Sequence, residues 1–301
     1  MELPKIGYGT YLMDSAASEL GVKNALEAGY RHIDTAQGYE NEAGVGAGMK
    51  ASGVDRGEVF VTTKLWPGGK WGQRALTYEE VVEAGEKSLK ELDCGYLDLY
   101  LIHTPFAFAS GKEAGLDQWR GCLALKKRGI ARQVGVSNFN QAHLSAIYEA
   151  RMEMPLYNQL EIHPCCQQRQ LLAFMEERGV KAIAYSSLAP LGSWREGQDS
   201  GKDRMGKERT EIVGSTLKKI AGEMDATEPQ VLLRWALEKG YPILPKSTNV
   251  GRMKLNLRVG EMGELGKENM ELLDALGGGG EGTGVEDVCL AWAFGDPAAA
   301  S

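Results

Sequence analysis

The sequence has few of the features that mark disulfide-rich, metal-binding or membrane-spanning proteins. Only five of its 301 residues are cysteine, the number is odd, and no CxxC spacing occurs. We therefore expect no disulfide framework, and we expect the protein to lie in a reducing compartment. No apolar stretch approaches the ~18 residues that span a bilayer, and the N-terminus lacks the basic and then apolar pattern of a signal peptide. These absences predict a cytoplasmic protein with no membrane segment.

The sequence also has fewer basic than acidic residues. The chain has 34 Lys and Arg against 41 Asp and Glu, a formal net charge of −7. A general nucleic-acid-binding protein needs a basic face, so this class is excluded. A small anionic ligand is still possible, because a few local cations can hold a phosphate. The hydrophobic fraction of 43% and charged fraction of 25% are typical of a globular protein with a large core.

Short apolar runs rich in β-branched and aromatic residues alternate with longer amphipathic stretches. A Thr-x-x-Glu capping box at Thr77–Glu80 and a similar Thr227–Gln230 motif predict the starts of two helices. Alternation of strands and helices predicts βαβ units and a parallel sheet. The seven runs predicted as strands are 30–35, 59–66, 97–103, 132–138, 156–163, 180–187 and 241–247.

An eighth strand would close a (β/α)8 barrel, and 257–265 is the segment in which we expect it. A doubly wound open sheet is the alternative architecture. No linker divides the chain, so 1–301 is expected to form one domain. Residues 4–13 are predicted to form an N-terminal β-hairpin, because two glycines punctuate alternating apolar residues. The glycines of 44–48 lack the spacing of a dinucleotide-binding loop and predict a closely packed helix face instead.

Titratable residues follow three successive predicted strands. Asp34, Lys64 and His103 each stand at a strand end, and Tyr39 comes shortly after Asp34. In a parallel barrel these ends meet at one rim, where the reactive residues of such folds lie. Each residue also has a structural interpretation: a turn-forming aspartate, a surface lysine or a buried histidine. Their joint occurrence at successive strand ends favours a site.

Such a set of residues has a definite chemistry. A tyrosine with a pKa near ~10 is a poor proton donor at neutral pH, and a neighbouring lysine is expected to lower that pKa. The aspartate would hold the lysine through a charge-assisted hydrogen bond. The histidine would orient a carbonyl oxygen. The set therefore predicts general-acid assistance to a carbonyl group that receives a hydride.

Several longer segments resemble, in the same order, the signatures of the aldo-keto reductase superfamily. They are YRHIDTAQGYENEAGVG, VFVTTKLW, YLDLYLIHTP, RQVGVSNFN, LYNQLEIHP and ILPKSTNVGRMKLN. The resemblance implies an NADPH-dependent carbonyl reductase on a (β/α)8 barrel, an oxidoreductase that is expected to be monomeric. It also implies a catalytic tetrad with Tyr39 as the proton donor: Asp34, Tyr39, Lys64 and His103.

The same resemblance implies contacts along the whole cofactor. Positions near the nicotinamide are Thr10, Ser137, Asn138, Gln159 and Tyr185, the last of which would stack on the ring. Positions near the phosphates and adenosine are Ser186, Leu188, Lys246, Ser247, Arg252 and Asn256. The expected substrate pocket is lined by Tyr11, Trp66, Phe106, Trp194 and Trp292.

The sequence departs from the family pattern at four places. Thr104 stands where a Trp is frequent, which resembles the branch of ketoamide and keto-ester reductases. Tyr11 also replaces a common Trp, and Leu255 a common Glu beside the adenine. The segment after Leu276 has no matching motif, although in the family it forms a loop over the substrate pocket. The alternative function is that of a nicotinamide-binding regulatory subunit with little catalytic activity. No metal is expected at His163, Cys165 and Cys166.

Overall fold

The computed structural model describes residues 1–66, 74–192, 201–277 and 289, and for 201–206 only the backbone. It contains a sheet of seven strands that pair in chain order, each parallel to its neighbours. The strands are β1 (Tyr8–Gly9), β2 (His32–Asp34), β3 (Phe60–Leu65), β4 (Leu97–Ile102), β5 (Ala131–Ser137), β6 (Tyr157–Glu161) and β7 (Lys181–Tyr185).

The sheet closes on itself through Ile243. This residue forms parallel bridges with Ala184 of β7 and with Ile6, which precedes β1. The Ile243 segment thus occupies the eighth strand position of the (β/α)8 barrel predicted from the sequence. The helices are α1 (Ser15–Ala28), α2 (Glu42–Ser52), α3 (Tyr78–Leu92), α4 (Lys112–Lys127), α5 (Gln141–Glu149), α6 (Arg169–Glu176), α7 (Gly201–Glu223), α8 (Glu228–Glu238), α9 (Val250–Arg258) and α10 (Lys267–Asp274).

Two details of the predicted architecture are wrong. The N-terminal segment is no hairpin but contains β1, and Gly7 faces His32 so closely that a β-carbon would lie 2.4 Å from the imidazole Nδ1. Position 7 needs glycine because the backbone passes close to His32, and not because the chain turns there. Residues 257–265 form no strand, because Asn249 caps the helix α9 that runs into this segment. The run at 241–247 therefore supplies the eighth position.

Other local predictions are confirmed. Thr77 and Thr227 cap α3 and α8 with reciprocal capping boxes. The glycines of α2 form a packed face: β-carbons on Gly44, Gly46 and Gly48 would lie within 2.5 Å of backbone oxygens of α1 and of the end of α3. Helix packing therefore accounts for this glycine-rich segment.

The core has two parts. A larger cluster of buried side chains lies between the sheet and the surrounding helices. A smaller cluster includes Phe60, Leu99, Leu101, Tyr157 and Ile183, which come from four different strands. No helix in the described ranges has both the length and the apolar character to cross a membrane.

One disulfide joins Cys166 to Cys289, whose Cα atoms are 5.0 Å apart although 123 positions separate them in the sequence. The expectation from cysteine usage is therefore wrong for this pair. Spacing along the chain carries no information about a contact made by the fold, and the turn after β6 lies beside Cys289. The expected loop over the substrate pocket falls on residues after Leu276 that, apart from Gly277 and Cys289, lie outside the described part.

Candidate active site

A buried ion pair lies at the carboxyl ends of β2 and β3. The Lys64 ammonium donates to Asp34 Oδ1 at 2.5 Å and to the Thr35 carbonyl oxygen at 2.7 Å. The Lys64 side chain is 0% exposed, and that of Asp34 5%. The second carboxylate oxygen of Asp34 accepts a hydrogen bond from Gln159 Nε2 at 2.7 Å. Both oxygens of this carboxylate are thus held by donors from other strands.

Aromatic rings surround this ion pair. Lys64 Nζ is 5.2 Å from the centre of the Tyr39 ring. The Tyr39 ring lies edge-on to His103, with centroids 5.6 Å apart, and tilted against Tyr11 at 5.1 Å. Trp66 also lies edge-on to His103, with ring centroids 5.7 Å apart. The structure therefore brings all four residues of the expected tetrad together with two of the expected pocket residues.

The residues expected at the nicotinamide form a second group at the same rim. The Tyr185 hydroxyl donates to Asn138 Oδ1 at 2.6 Å, and Asn138 Nδ2 donates to the His103 carbonyl oxygen at 3.0 Å. Ser137 Oγ donates to the Gln159 carbonyl oxygen at 2.8 Å. The side-chain amide of Asn138 thus links Tyr185, whose ring is expected to stack on the nicotinamide, to His103 directly after β4.

Thr10 joins this group through the backbone of Asp34. Its own backbone N–H and its hydroxyl both donate to the Asp34 carbonyl oxygen. Ser186 adopts a left-handed conformation with φ of 52°, directly after β7, and Leu188 precedes a short 3-10 turn at Ala189–Leu191. Phe106 begins another 3-10 turn after β4 and is half-buried. Apart from Thr10, which directly follows β1, these positions lie in the loops beyond the carboxyl ends of strands.

A third group lies after the Ile243 segment. The guanidinium Nε of Arg252 donates to Ser247 Oγ at 3.2 Å. Burial lowers the pKa of Lys246, and the positive charge of Arg252 lowers it further. Within the described part of the chain, neither cation has a carboxylate at salt-bridge distance. Asn256 is buried and engages Tyr30 instead of joining these two cations.

Comparisons with known proteins agree with this geometry. The model of the Aldo/keto reductase family matches residues 5–277. The chain belongs to the aldo/keto reductase family. A 9,11-endoperoxide prostaglandin H2 reductase of Trypanosoma cruzi is 37% identical over 277 residues, which are 92% of this chain and 88% of that protein. The methylglyoxal reductase DkgA of Salmonella typhimurium is 35% identical over 272 residues, 88% of this chain and 89% of that protein.

The likeness extends to solved structures. The crystal structure of a Bombyx mori aldo-keto reductase in complex with NADP has a TM-score of 0.76 and 31% sequence identity, and the match covers 91% of this chain and 89% of that one. This supports nicotinamide cofactor binding in the family. The two curated relatives carry the names of different substrates, so family membership leaves the substrate open.

In this aldo/keto reductase the pKa of Tyr39 is raised, whereas a lysine neighbour was expected to lower it. Burial raises the pKa of Tyr39 well above its ordinary value, and the negative charge of Asp34 raises it further. The ammonium of Lys64 is itself bound to the carboxylate of Asp34. The phenol therefore keeps its proton at neutral pH.

The pKa of His103 is lowered, whereas that of Tyr39 is raised. Burial lowers the pKa of His103 well below its ordinary value, and the charge of Lys64 lowers it further. The imidazole is thus neutral at neutral pH and can offer a hydrogen bond without a net charge. Burial likewise lowers the pKa of Lys64, although the negative charge of Asp34 opposes this shift.

Sequence reasoning missed residues that support the rim. Asn41 accepts a hydrogen bond from the Thr35 hydroxyl and donates to the carbonyl oxygens of Thr10 and Met13. Gln37 binds the backbone of Trp66. Both lie in the segment that carries Asp34 and Tyr39, so the density of polar residues there was the available signal. Trp194 and Trp292, expected in the substrate pocket, lie outside the described residues.

Proposed function

We propose that this protein reduces an aldehyde or ketone to the alcohol with NADPH, and that Tyr39 donates the proton. The observation that carries the proposal is the meeting of Tyr39 and His103 beside the buried Lys64–Asp34 pair. These four residues come from the ends of three strands, and family membership supports a carbonyl reductase.

Each residue of the tetrad has a proposed role in the reaction. Tyr39 keeps its phenolic proton at neutral pH and gives it to the carbonyl oxygen as the alcohol forms. Lys64 then stabilises the phenolate from 5.2 Å away, measured to the ring centre. Neutral His103 orients the carbonyl oxygen through a hydrogen bond, which adds no charge to the ground state. Asp34 fixes the ammonium of Lys64 and limits its motion.

The residues present fit an NADPH molecule. Two cations without carboxylate partners among the described residues, Lys246 and Arg252, suit the 2′-phosphate, and Ser247 lies between them in the sequence. Ser137, Asn138 and Gln159 would bind the carboxamide, and the Tyr185 ring would stack on the nicotinamide. Thr10, Ser186, Leu188 and Asn256 remain predicted contacts. When bound, NADPH supplies the hydride.

For the substrate we propose a small 2-oxoaldehyde such as methylglyoxal. The Salmonella typhimurium relative is named for this substrate. Tyr11, Trp66 and Phe106 would give the pocket apolar aromatic walls. Thr104 stands where a bulky Trp is frequent in the family, so keto-esters are a second class to test. Sugars are a third class worth testing.

The deciding experiment is a carbonyl panel. Purified protein is mixed with NADPH and with methylglyoxal, an aryl aldehyde, an aldose or a keto-ester, and loss of NADPH absorbance is followed. We expect turnover of methylglyoxal and a loss of about 10²–10⁴-fold in Tyr39→Phe, which lacks only the hydroxyl. Tight NADPH binding without turnover of any carbonyl would instead favour the regulatory subunit.

Three further expectations stay predictions from sequence. They are a cytoplasmic location, a monomeric state and a single domain over 1–301. The Cys166–Cys289 disulfide counts against a permanently reducing compartment, because such bonds are rare there.

A further inference from the structure

Gly38 lies directly against the indole ring of Trp66. A β-carbon placed on Gly38 would come within 2.4 Å of Trp66 Cε3, 2.8 Å of Cζ3 and 2.9 Å of Cδ2. These three ring atoms are the nearest neighbours that it would meet, although Gly38 is itself exposed. Gly38 is also absent from the glycines with positive φ, so its backbone conformation does not require glycine. The ring of Trp66 is therefore what excludes a side chain at this position.

Gln37 holds the backbone of the same tryptophan. Its Oε1 accepts a hydrogen bond from the Trp66 N–H at 2.9 Å. Its Nε2 donates to the Ala84 carbonyl oxygen at 2.7 Å and to Ser88 Oγ at 2.9 Å, both on α3. Trp66 is thus fixed at two points, at its backbone by Gln37 and at its ring by Gly38.

The ring held in this way borders the reacting residues. Trp66 lies edge-on to His103, with ring centroids 5.7 Å apart and an interplanar angle of 74°. Tyr39 directly follows Gly38 and contacts His103 as well. One three-residue 3-10 turn, Gln37–Tyr39, therefore carries the proposed proton donor and also supports an aromatic wall beside it.

We propose that Gly38 is a specificity-determining residue: by leaving space for the Trp66 ring, it sets the width of the substrate pocket in front of His103. Gln37 acts with it as a positioning residue for Trp66. The inference rests on the proposed carbonyl reduction, because it concerns which carbonyl compounds fit beside the tetrad. A methyl group at position 38 would have to displace the ring, since its closest approach is far inside van der Waals contact.

The test compares a bulky with a small substrate in Gly38→Ala. If Trp66 forms a pocket wall, the ring of benzaldehyde would contact it, whereas the smaller methylglyoxal would depend on it less. We expect the ratio of kcat/KM for benzaldehyde over methylglyoxal to fall at least about tenfold, the scale of discrimination by pocket shape. Gly57→Ala is the matched control, because a β-carbon there meets nothing within 4 Å. Its ratio should stay at the wild-type value.

A double-mutant cycle assigns the effect to Trp66. If the methyl group acts through the ring, Gly38→Ala should leave the ratio unchanged in a Trp66→Ala background. Gln37→Leu serves as the second variant, should Gly38→Ala fail to fold by circular dichroism. It removes the hydrogen bond to the Trp66 backbone and should lower the same ratio, again only when Trp66 is present.

The outcomes separate this inference from the proposed function. A wild-type protein that binds NADPH but reduces no compound of the carbonyl panel would overturn the proposed function and the inference with it. Two results with an active wild type would overturn the inference alone. One is an unchanged ratio of kcat/KM values in Gly38→Ala, and the other is an equal fall of this ratio when Trp66 is replaced by alanine.

Discussion

The barrel holds a buried carboxylate at each end, and the two are paired differently. At the carboxyl end, Asp34 is paired with a single fully buried lysine, Lys64. At the amino end, Asp98 accepts from Arg56 at 2.7 Å, from Arg132 at 3.4 Å and from the Val61 N–H at 3.0 Å. Both arginines also stack on the Tyr96 ring, at 3.8 Å and 3.6 Å from its centre.

The two pairs also differ in how far their cations are exposed to water. The arginines of the Asp98 cluster are 23% and 48% exposed, so their charges keep contact with water and their planar groups are fixed by stacking. Lys64 has no such contact with water, and beside it lies the hydroxyl-bearing ring of Tyr39. The first arrangement stabilises the amino end of the barrel. The second keeps a concentrated charge beside a group that can lose a proton.

The largest effect is expected from Lys64→Met. The change leaves the Asp34 carboxylate buried without its cation, which costs about 3–5 kcal/mol of unfolding free energy. Turnover of the best carbonyl substrate should fall at least about 100-fold. Urea denaturation and steady-state kinetics measure the two effects.

The matched control for that change is Lys50→Met, which breaks a Lys–Asp pair of exposed side chains with Asp93. Exposed pairs contribute about 0–1 kcal/mol, so stability and turnover should hardly change. Retention of more than about a tenth of wild-type turnover in Lys64→Met would contradict the role assigned to the buried pair.

A second test asks whether the carboxyl end also recognises a phosphate. Arg252→Ala should weaken NADPH binding by ~1.5–3 kcal/mol, the contribution of a hydrogen bond to a charged group, and leave NADH binding nearly unchanged. Quenching of tryptophan fluorescence gives both affinities. Lys254→Ala, on the same helix α9, is the control. Equal weakening of the two cofactors would show that Arg252 does not contact the 2′-phosphate.

At the amino end of the barrel we expect a substitution to lower stability and to leave turnover nearly unchanged. Asp98→Asn should lower the unfolding free energy by about 2 kcal/mol, because Arg56 and Arg132 lose a buried charged acceptor but remain in contact with water. The kcat/KM value should stay within about twofold of wild type, since in a (β/α)8 barrel the amino end serves stability and the carboxyl end carries the active site. A large loss of turnover with unchanged stability would reverse the comparison.

An effect that appears only at acidic pH concerns His32, at the first residue of β2. Its Nε2 is hydrogen-bonded to Thr62 Oγ1 at 2.9 Å, and its Nδ1 is buried without a partner among the described residues. Burial lowers the pKa of His32 from 6.5 to about 3. The unfolded chain therefore binds a proton below pH 6.5 that the folded protein does not, and stability is lost as the pH falls from 6.5 towards 3.

Between about pH 7 and pH 5 this single group should cost about 2 kcal/mol of unfolding free energy. Urea denaturation at both pH values measures the loss. His32→Gln removes the titration and should show a loss smaller by that amount, whatever its own effect on stability. An identical pH dependence in both proteins would mean that folding does not lower the pKa of His32.

Local patterns in the sequence predicted much of this molecule. Alternating apolar runs and capping boxes are short-range signals, so they predicted a parallel α/β fold, the strands that carry Lys64 and Gln159, and the starts of α3 and α8. The choice of a barrel over an open sheet came from the family resemblance. The eighth strand was assigned to the wrong segment, because Ile243 becomes a strand partner only through Ala184 and Ile6. A bridge of this kind has no local signature.

What the sequence by itself determined is that candidate site residues stand at strand ends, since strand ends follow from periodicity. Only the tertiary structure decided how they meet. The hydrogen bond of Gln159 to Asp34 joins residues 125 positions apart. The Trp66 ring occupies the space that Gly38 leaves, and Cys166 reaches Cys289. Such contacts depend on strand register and on packing across the barrel, and a chain's local pattern carries neither.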